Sequence, residues 1–201
     1  NLYYSRYKKD ILSVINHINF LPEFYEFTNN KKIINIIKKT GIEFPVIGFS
    51  NIGGRGGVPF LNFFPNDDDR YYKAHQDFFY LPSSLNSVVL WVPLQNTFSK
   101  HGSIKLIPGS HINKKLMIHS HKDVKKNKID SLYSENDFID INVKEGQAIL
   151  FSSFLIHKSG NNKSNKMRMA FQIRYSDLYH KEYIRRGLSF DKFPNDINIV
   201  K

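Results

Sequence analysis

The chain has 201 residues, 41% of them hydrophobic, with 17 Phe, 11 Tyr and no Cys. This composition excludes disorder, a disulfide framework and a thiolate metal site, and its longest apolar run, "VVLWVPL", is far too short to cross a bilayer. The formal charge of +11 comes from 22 Lys against 7 Arg; a solvated lysine surface lacks the Arg forks and interleaved aromatics that grip phosphates, so nucleic-acid binding is disfavoured.

The first stretch, "NLYYSRYKKD", has no apolar signal core, and the lack of cysteine permits a reducing, cytoplasmic setting, which is the expected one. Because the chain begins with Asn1, a natural segment before it is expected. The length suits one domain that buries roughly two-thirds of its unfolded surface. It divides into a helical preface over 1–41, a core over about 42–176 and a C-terminal extension over 177–201.

In chain order, a helix is predicted over 5–18, with Ile11, Leu12, Ile15 and Ile18 on one stripe, and another over 30–39, with Ile33, Ile34, Ile36 and Ile37, ended by Gly41. The period then changes to two. "EFPVIGFS", "FLNFF", "SVVLWVPL", "GSIKLI", "DFIDINV", "QAILF", "FLIHKS" and "RMAFQIRY" read as eight strands divided by turns. Short strands without helical crossovers predict a mainly β fold, a double-stranded β-helix (jelly roll, cupin-like) with the N-terminal helices packed on one sheet. The Lys-rich segment 111–137 is unpatterned and reads as an insertion loop. "GGRGG" at 53–57 lacks the Lys-Ser/Thr of a phosphate loop and reads as a turn, with Arg55 a candidate contact for an anionic substrate.

Chemistry enters at "KAHQDFFY". On a strand that enters the core through Phe78, Phe79 and Tyr80, His75, Asp77 and Phe79 point to one side, and the first two can offer an imidazole nitrogen and a carboxylate oxygen to one metal ion. Two imidazoles and one carboxylate form the facial triad of non-haem Fe(II) oxygenases, so a further histidine is required. A rival pair, His121 and Asp123 with His119 beside them, sits in a lysine-rich run that repels a cation and has no apolar alternation to hold ligands rigid. His157, at the end of the apolar run "AILFSSFLIH", is the best third ligand. In "RMAFQIRY", Met169, Phe171, Ile173 and Tyr175 form a packing face, which turns Arg168, Ala170, Gln172 and Arg174 inward. A buried Arg168 calls for an anion, and its planar fork matches a carboxylate.

The pieces "HQDFFY", "VVLWVPLQN", "GSIKLIPGSH" and "LIHKSGNNKSNKMRMAFQIRY", in that order over roughly 58–176, resemble the core motifs of the phytanoyl-CoA dioxygenase (PhyH) superfamily of Fe(II)- and 2-oxoglutarate-dependent oxygenases. The resemblance implies that His75, Asp77 and His157 bind Fe(II), and that Arg168, eleven residues after His157, binds the far carboxylate of 2-oxoglutarate. Ser159, Trp91 and Asn62 correspond to further cosubstrate contacts, and His111 to a structural residue. It also implies O2-dependent hydroxylation of an unactivated carbon in a small-molecule substrate, releasing succinate and CO2. With Asp77 present, hydroxylation is favoured over halogenation.

Phe79, Tyr80, Arg55 and Arg174 are the candidate substrate contacts, and a small polar metabolite is the expected class. The competing readings are a cupin-type binding module or sugar isomerase, which would not need Arg168, and a nucleic-acid demethylase, which shares the Arg168 and Arg174 pair.

Overall fold

The computed structural model describes residues 17, 21–48, 73–118 and 128–188 in full, and 60–63 and 199–200 by their backbone. The helix expected over 5–18 lies outside the described residues, apart from a helical His17, as do Arg55, the "GGRGG" turn and the His119, His121 and Asp123 group. Among the described residues, no helix is long and apolar enough to cross a membrane.

Helix α1, Pro22–Thr28, was not read from the sequence. It starts on Pro22, which tolerates the first helical position because its missing N–H would have no intrahelical acceptor there. Helix α2, Lys31–Lys38, matches the predicted one; Asn30 caps it by accepting from Lys32 N at 2.9 Å. Gly41 then turns the chain with φ +90, a conformation that disfavours a side chain.

All eight predicted strands are present: β1 Pro45–Ile47, β2 Phe60–Phe63, β3 Val88–Pro93, β4 Ile104–Leu106, β6 Ile139–Asp140, β7 Ile149–Ser152, β8 His157–Ser159 and β9 Arg168–Asp177. Two short strands were missed, β5 Leu116–Met117 and β10 Ile199–Val200, which pair in parallel. Ten-residue β9 organises the larger sheet. Its outer edge takes β2 opposite Arg168–Phe171 and β1 opposite Tyr175–Asp177, while its other edge pairs with β3, which pairs with β7. The smaller sheet runs β6, β4, β8, all antiparallel. This is the expected jelly-roll arrangement.

The period-two pattern sorts β3 and β9 into two faces. Val88, Leu90, Ile173 and Tyr175 face outward and pack under Phe24, Ile37 and Ile42, so α1 and α2 cover the larger sheet as expected. Tyr175 anchors this layer by donating its hydroxyl to Thr28 O at 2.7 Å. Val89, Trp91 and Ala170 face inward and meet Ile104, Val143, Phe151 and Leu155 between the sheets.

The Lys-rich segment is not an unpatterned loop. It carries β5, helix α4 (Lys128–Leu132) and a 3-10 turn (Glu135–Asp137), and its buried Met117 and Ile129 pack with Ala74, Ile107 and Ile156. Lys105 and Lys158 are direct cross-strand partners, a like-charge pair that is unfavourable alone. Glu135 accepts from both, at 2.6 and 2.5 Å, and Lys158 lies 3.9 Å from the centre of the Phe138 ring. These contacts fasten the segment to the outside of the smaller sheet.

Candidate metal centre

The backbone brings the first two candidate ligands together. His75 and His157 are an antiparallel pair that exchanges both main-chain hydrogen bonds, His75 N to His157 O at 2.9 Å and His157 N to His75 O at 3.0 Å. Direct partners project side chains to one face, and the two rings stand 4.2 Å apart between centroids. Each Nδ1 lies against the carbonyl two residues upstream, Lys73 O at 2.7 Å and Leu155 O at 2.9 Å. A carbonyl only accepts, so each Nδ1 carries the proton and each Nε2 keeps a lone pair for a metal.

The chain stays extended through Gln76 and then turns helical. Asp77–Tyr80 is one turn, α3, and not the strand expected from "DFFY". The turn is held by Phe78, which is buried, stacks on Phe154 with centroids 4.2 Å apart and donates its N–H to Ser153 O. Phe79 therefore does not continue a ligand-bearing strand face. Asp77 is nevertheless brought to the histidines: Oδ1 lies 3.5 Å from His75 Nε2 and Oδ2 3.9 Å from His157 Nε2. The donor atoms of His75, Asp77 and His157 all lie within 4.8 Å of one another, all three residues are buried, and they could hold one metal ion.

Two inward residues of β9 grip the carboxylate. Gln172 Nε2 donates to Asp77 Oδ2 at 2.7 Å and Arg174 Nη2 to Oδ1 at 2.8 Å. Burial opposes the negative charge of Asp77, but the Arg174 guanidinium, the foremost opposing influence, holds its pKa well below the usual carboxylate range. Burial, followed by the neighbouring His75, pushes His157 down to about 3, so its imidazole is neutral at pH 7, as ligation requires. Tyr80 is close by, its ring 6.0 Å from that of His75, and burial with the Asp77 charge raises its phenol pKa.

Ser159 and Arg168 lie along the interior. Ser159 follows His157 by two residues on β8 and is buried. Arg168 is only 1% exposed; it donates from Nη1 to Gly102 O at 2.5 Å, and its guanidinium carbon lies 5.5 Å from the centre of the Trp91 ring. Asn62 stands opposite Met169 in the ladder, while Phe63 stands opposite Arg168. His111 lies in the turn after β4, outside the ligand cluster.

Several site-building residues were missed. Gln76, between the two ligands, is fully buried; it donates to Lys115 O and Phe154 O, both at 2.8 Å, and accepts from Met117 N at 2.9 Å. Gln95 holds the peptides flanking Arg168, donating to Met167 O at 2.7 Å and accepting from Met169 N at 3.3 Å. Ser110 of the "IPGSH" turn accepts from Ile156 N at 2.9 Å, fixing the approach to His157. The available signal was a polar residue beside or within a strongly apolar stretch, as in "VVLWVPLQ" and "HQDFF".

Comparison with known proteins agrees with this architecture. The profile described as Phytanoyl-CoA dioxygenase (PhyH) matches residues 32–170. A phytanoyl-CoA dioxygenase of Arabidopsis thaliana is 27% identical over 159 residues, covering 76% of this chain and 52% of that protein; the chain spans about half the length of the curated relatives it matches. Among solved structures, the non-heme alpha ketoglutarate dependent carbocyclase SnoK from nogalamycin biosynthesis is similar with a TM-score of 0.59 and 20% identity, over 78% of this chain and 59% of that one. The epimerase SnoN in complex with Fe3+, alpha ketoglutarate and nogalamycin RO gives a TM-score of 0.57 at 16% identity, over 77% and 58%. With a family match over most of its length and a fold shared with these enzymes, the chain belongs to the phytanoyl-CoA dioxygenase family.

Proposed function

We propose that this protein is an Fe(II)- and 2-oxoglutarate-dependent oxygenase that hydroxylates an unactivated carbon of a small-molecule metabolite. The observation that carries the reading is the buried cluster of His75, Asp77 and His157, with both imidazoles presenting Nε2 toward one carboxylate. Two neutral nitrogens and one carboxylate on one side suit Fe(II) and leave positions for other ligands. Iron and 2-oxoglutarate, when bound, supply with O2 the oxidising power for the C–H bond and release succinate and CO2.

The chain's own residues do the holding and orienting. His75, Asp77 and His157 hold the metal, and Gln172 and Arg174 fix the carboxylate orientation. Arg168, in the interior beside Trp91, receives the far carboxylate of 2-oxoglutarate, with Ser159 as a further contact. Burial of the centre excludes water, which strengthens each of these charge interactions. Phe79, Tyr80, Arg174 and Arg55 meet the substrate. All of these residues lie within the proposed core of about 42–176.

A cupin-type binder or isomerase would have no use for a buried Arg168 on the inner face. Succinate formation from 2-oxoglutarate across a panel of amino acids, sugars and nucleotide-linked metabolites tests the reading. Fe(II)- and O2-dependent succinate, stimulated by one class, is expected. Turnover of a metabolite without consumption of 2-oxoglutarate would contradict it.

A further inference from the structure

Arg168 donates to a junction of two loops that pack closely on a pair of glycines. The turn before β4 and the loop between β8 and β9 meet back to back at Gly102 and Gly160. Gly160 N donates to Ser103 O at 2.8 Å, Lys163 N to Lys100 O at 2.9 Å, and His101 bridges Asn162. Asn162, itself buried, shapes the second loop by donating to Lys166 O at 2.8 Å and accepting from Ser164 N and Oγ.

Gly102 has φ +73, and a Cβ there would lie 2.6 Å from Gly160 O and 3.0 Å from Asn162 N, both backbone atoms. A Cβ at Gly160 would lie 3.0 Å from Ser103 O and 3.4 Å from Gly102 Cα. A backbone neighbour cannot rotate away as a side chain would, so a methyl at Gly102 must part the two loops, and one at Gly160 presses them apart by a few tenths of an ångström. The carbonyl displaced by such a shift is that of Gly102, which accepts from Arg168 Nη1.

We propose that Gly102 and Gly160 are positioning residues for 2-oxoglutarate: their close contact sets the Gly102 carbonyl that aims the Arg168 guanidinium. The proposal rests on the reading of Arg168 as the cosubstrate's carboxylate contact. It assigns no part in metal binding to either glycine, since the His75 and His157 pair is built by a separate bridge.

The test is anaerobic calorimetric titration of 2-oxoglutarate into the Mn(II)-loaded protein, with Mn(II) affinity measured separately, for wild type, Gly102→Ala and Gly160→Ala. The expected result is 2-oxoglutarate affinity lowered about tenfold or more, as for a misaligned charged hydrogen bond, with Mn(II) affinity within about twofold. In an Arg168→Ala background, Gly102→Ala is expected to have no further effect, because both changes act through one guanidinium. Gly146→Ala, also at positive φ (+82) but with nothing within 4 Å of its Cβ, controls for backbone strain and leaves both affinities unchanged. Should Gly102→Ala not fold, the milder Gly160→Ala decides by the same criteria. Unchanged 2-oxoglutarate affinity, equal loss of Mn(II) and 2-oxoglutarate, or additivity with Arg168→Ala would overturn the inference. Failure of wild type to bind 2-oxoglutarate would overturn the reading of Arg168 itself.

Discussion

His75 and His157 exchange both backbone hydrogen bonds across one antiparallel step, so their side chains are neighbours before either meets a metal. The relation spans 82 residues of sequence and makes the centre a product of sheet pairing rather than of loop closure on an ion. Asp77 joins through a different device, the helical turn closed by Phe78 on Phe154. Preorganisation of this kind keeps ligand geometry without metal.

Gln172 and Arg174 are expected to set metal affinity without touching the ion. Both donate to Asp77, one to each oxygen. Replacing either by Ala is expected to weaken Co(II) or Fe(II) binding by about 10–100-fold. Metal titration followed by the Co(II) absorption bands checks it; unchanged affinity in both variants would remove the two residues from the centre.

Gln76 joins three parts of the fold, the ligand segment, β5 and the turn ahead of His157. Gln76→Leu leaves two carbonyls and one N–H without their buried partner, each worth about 1–3 kcal/mol. A loss of about 2–4 kcal/mol in denaturant unfolding is expected, since neighbours recover part of the cost.

Asp177 gives the fold an acid limb. Its carboxylate accepts from Asn86 Nδ2 at 3.0 Å and from the N–H groups of Phe44, Glu43 and Tyr179 at 2.9, 3.1 and 3.1 Å. Burial opposes ionisation, but these donors, Asn86 foremost, bring its pKa below the ordinary carboxylate value. The unfolded chain then binds the proton more readily, so the stabilisation is complete above about pH 4, the unfolded pKa, and is lost as pH falls through the folded value. Asp177→Asn is expected to lower stability at pH 7 by about 1–3 kcal/mol. The difference from wild type should shrink in thermal unfolding below pH 4.

The alternation in β9 was legible because one face packs under α1 and α2 while the other lines the interior with polar side chains; β3, apolar on both faces, shows no such pattern. That pattern also turned Arg168, Gln172 and Arg174 inward correctly. The turn at Asp77 was not legible, since "DFFY" suits a strand and only Phe154, 76 residues after Phe78, favours the helical turn. The Lys-rich segment hid its order for a related reason. Its core residues Met117 and Ile129 are separated by lysines and pack with Ala74, Ile107 and Ile156, which flank the ligand segment and the ends of β4 and β8. The partners of Gln76 and Gln95 are backbone groups fixed by tertiary structure, which carry no side-chain signature.

The proposed oxygenase activity requires one ion, bound by His75, Asp77 and His157, that works with 2-oxoglutarate. Anaerobic titration of the protein with Fe(II) and then 2-oxoglutarate, followed by visible absorption, tests it most directly. A weak charge-transfer band is expected in wild type, absent in His157→Ala and requiring far more 2-oxoglutarate in Arg168→Ala. No band in wild type, or a band that survives in His75→Ala and disappears in His121→Ala, would contradict it.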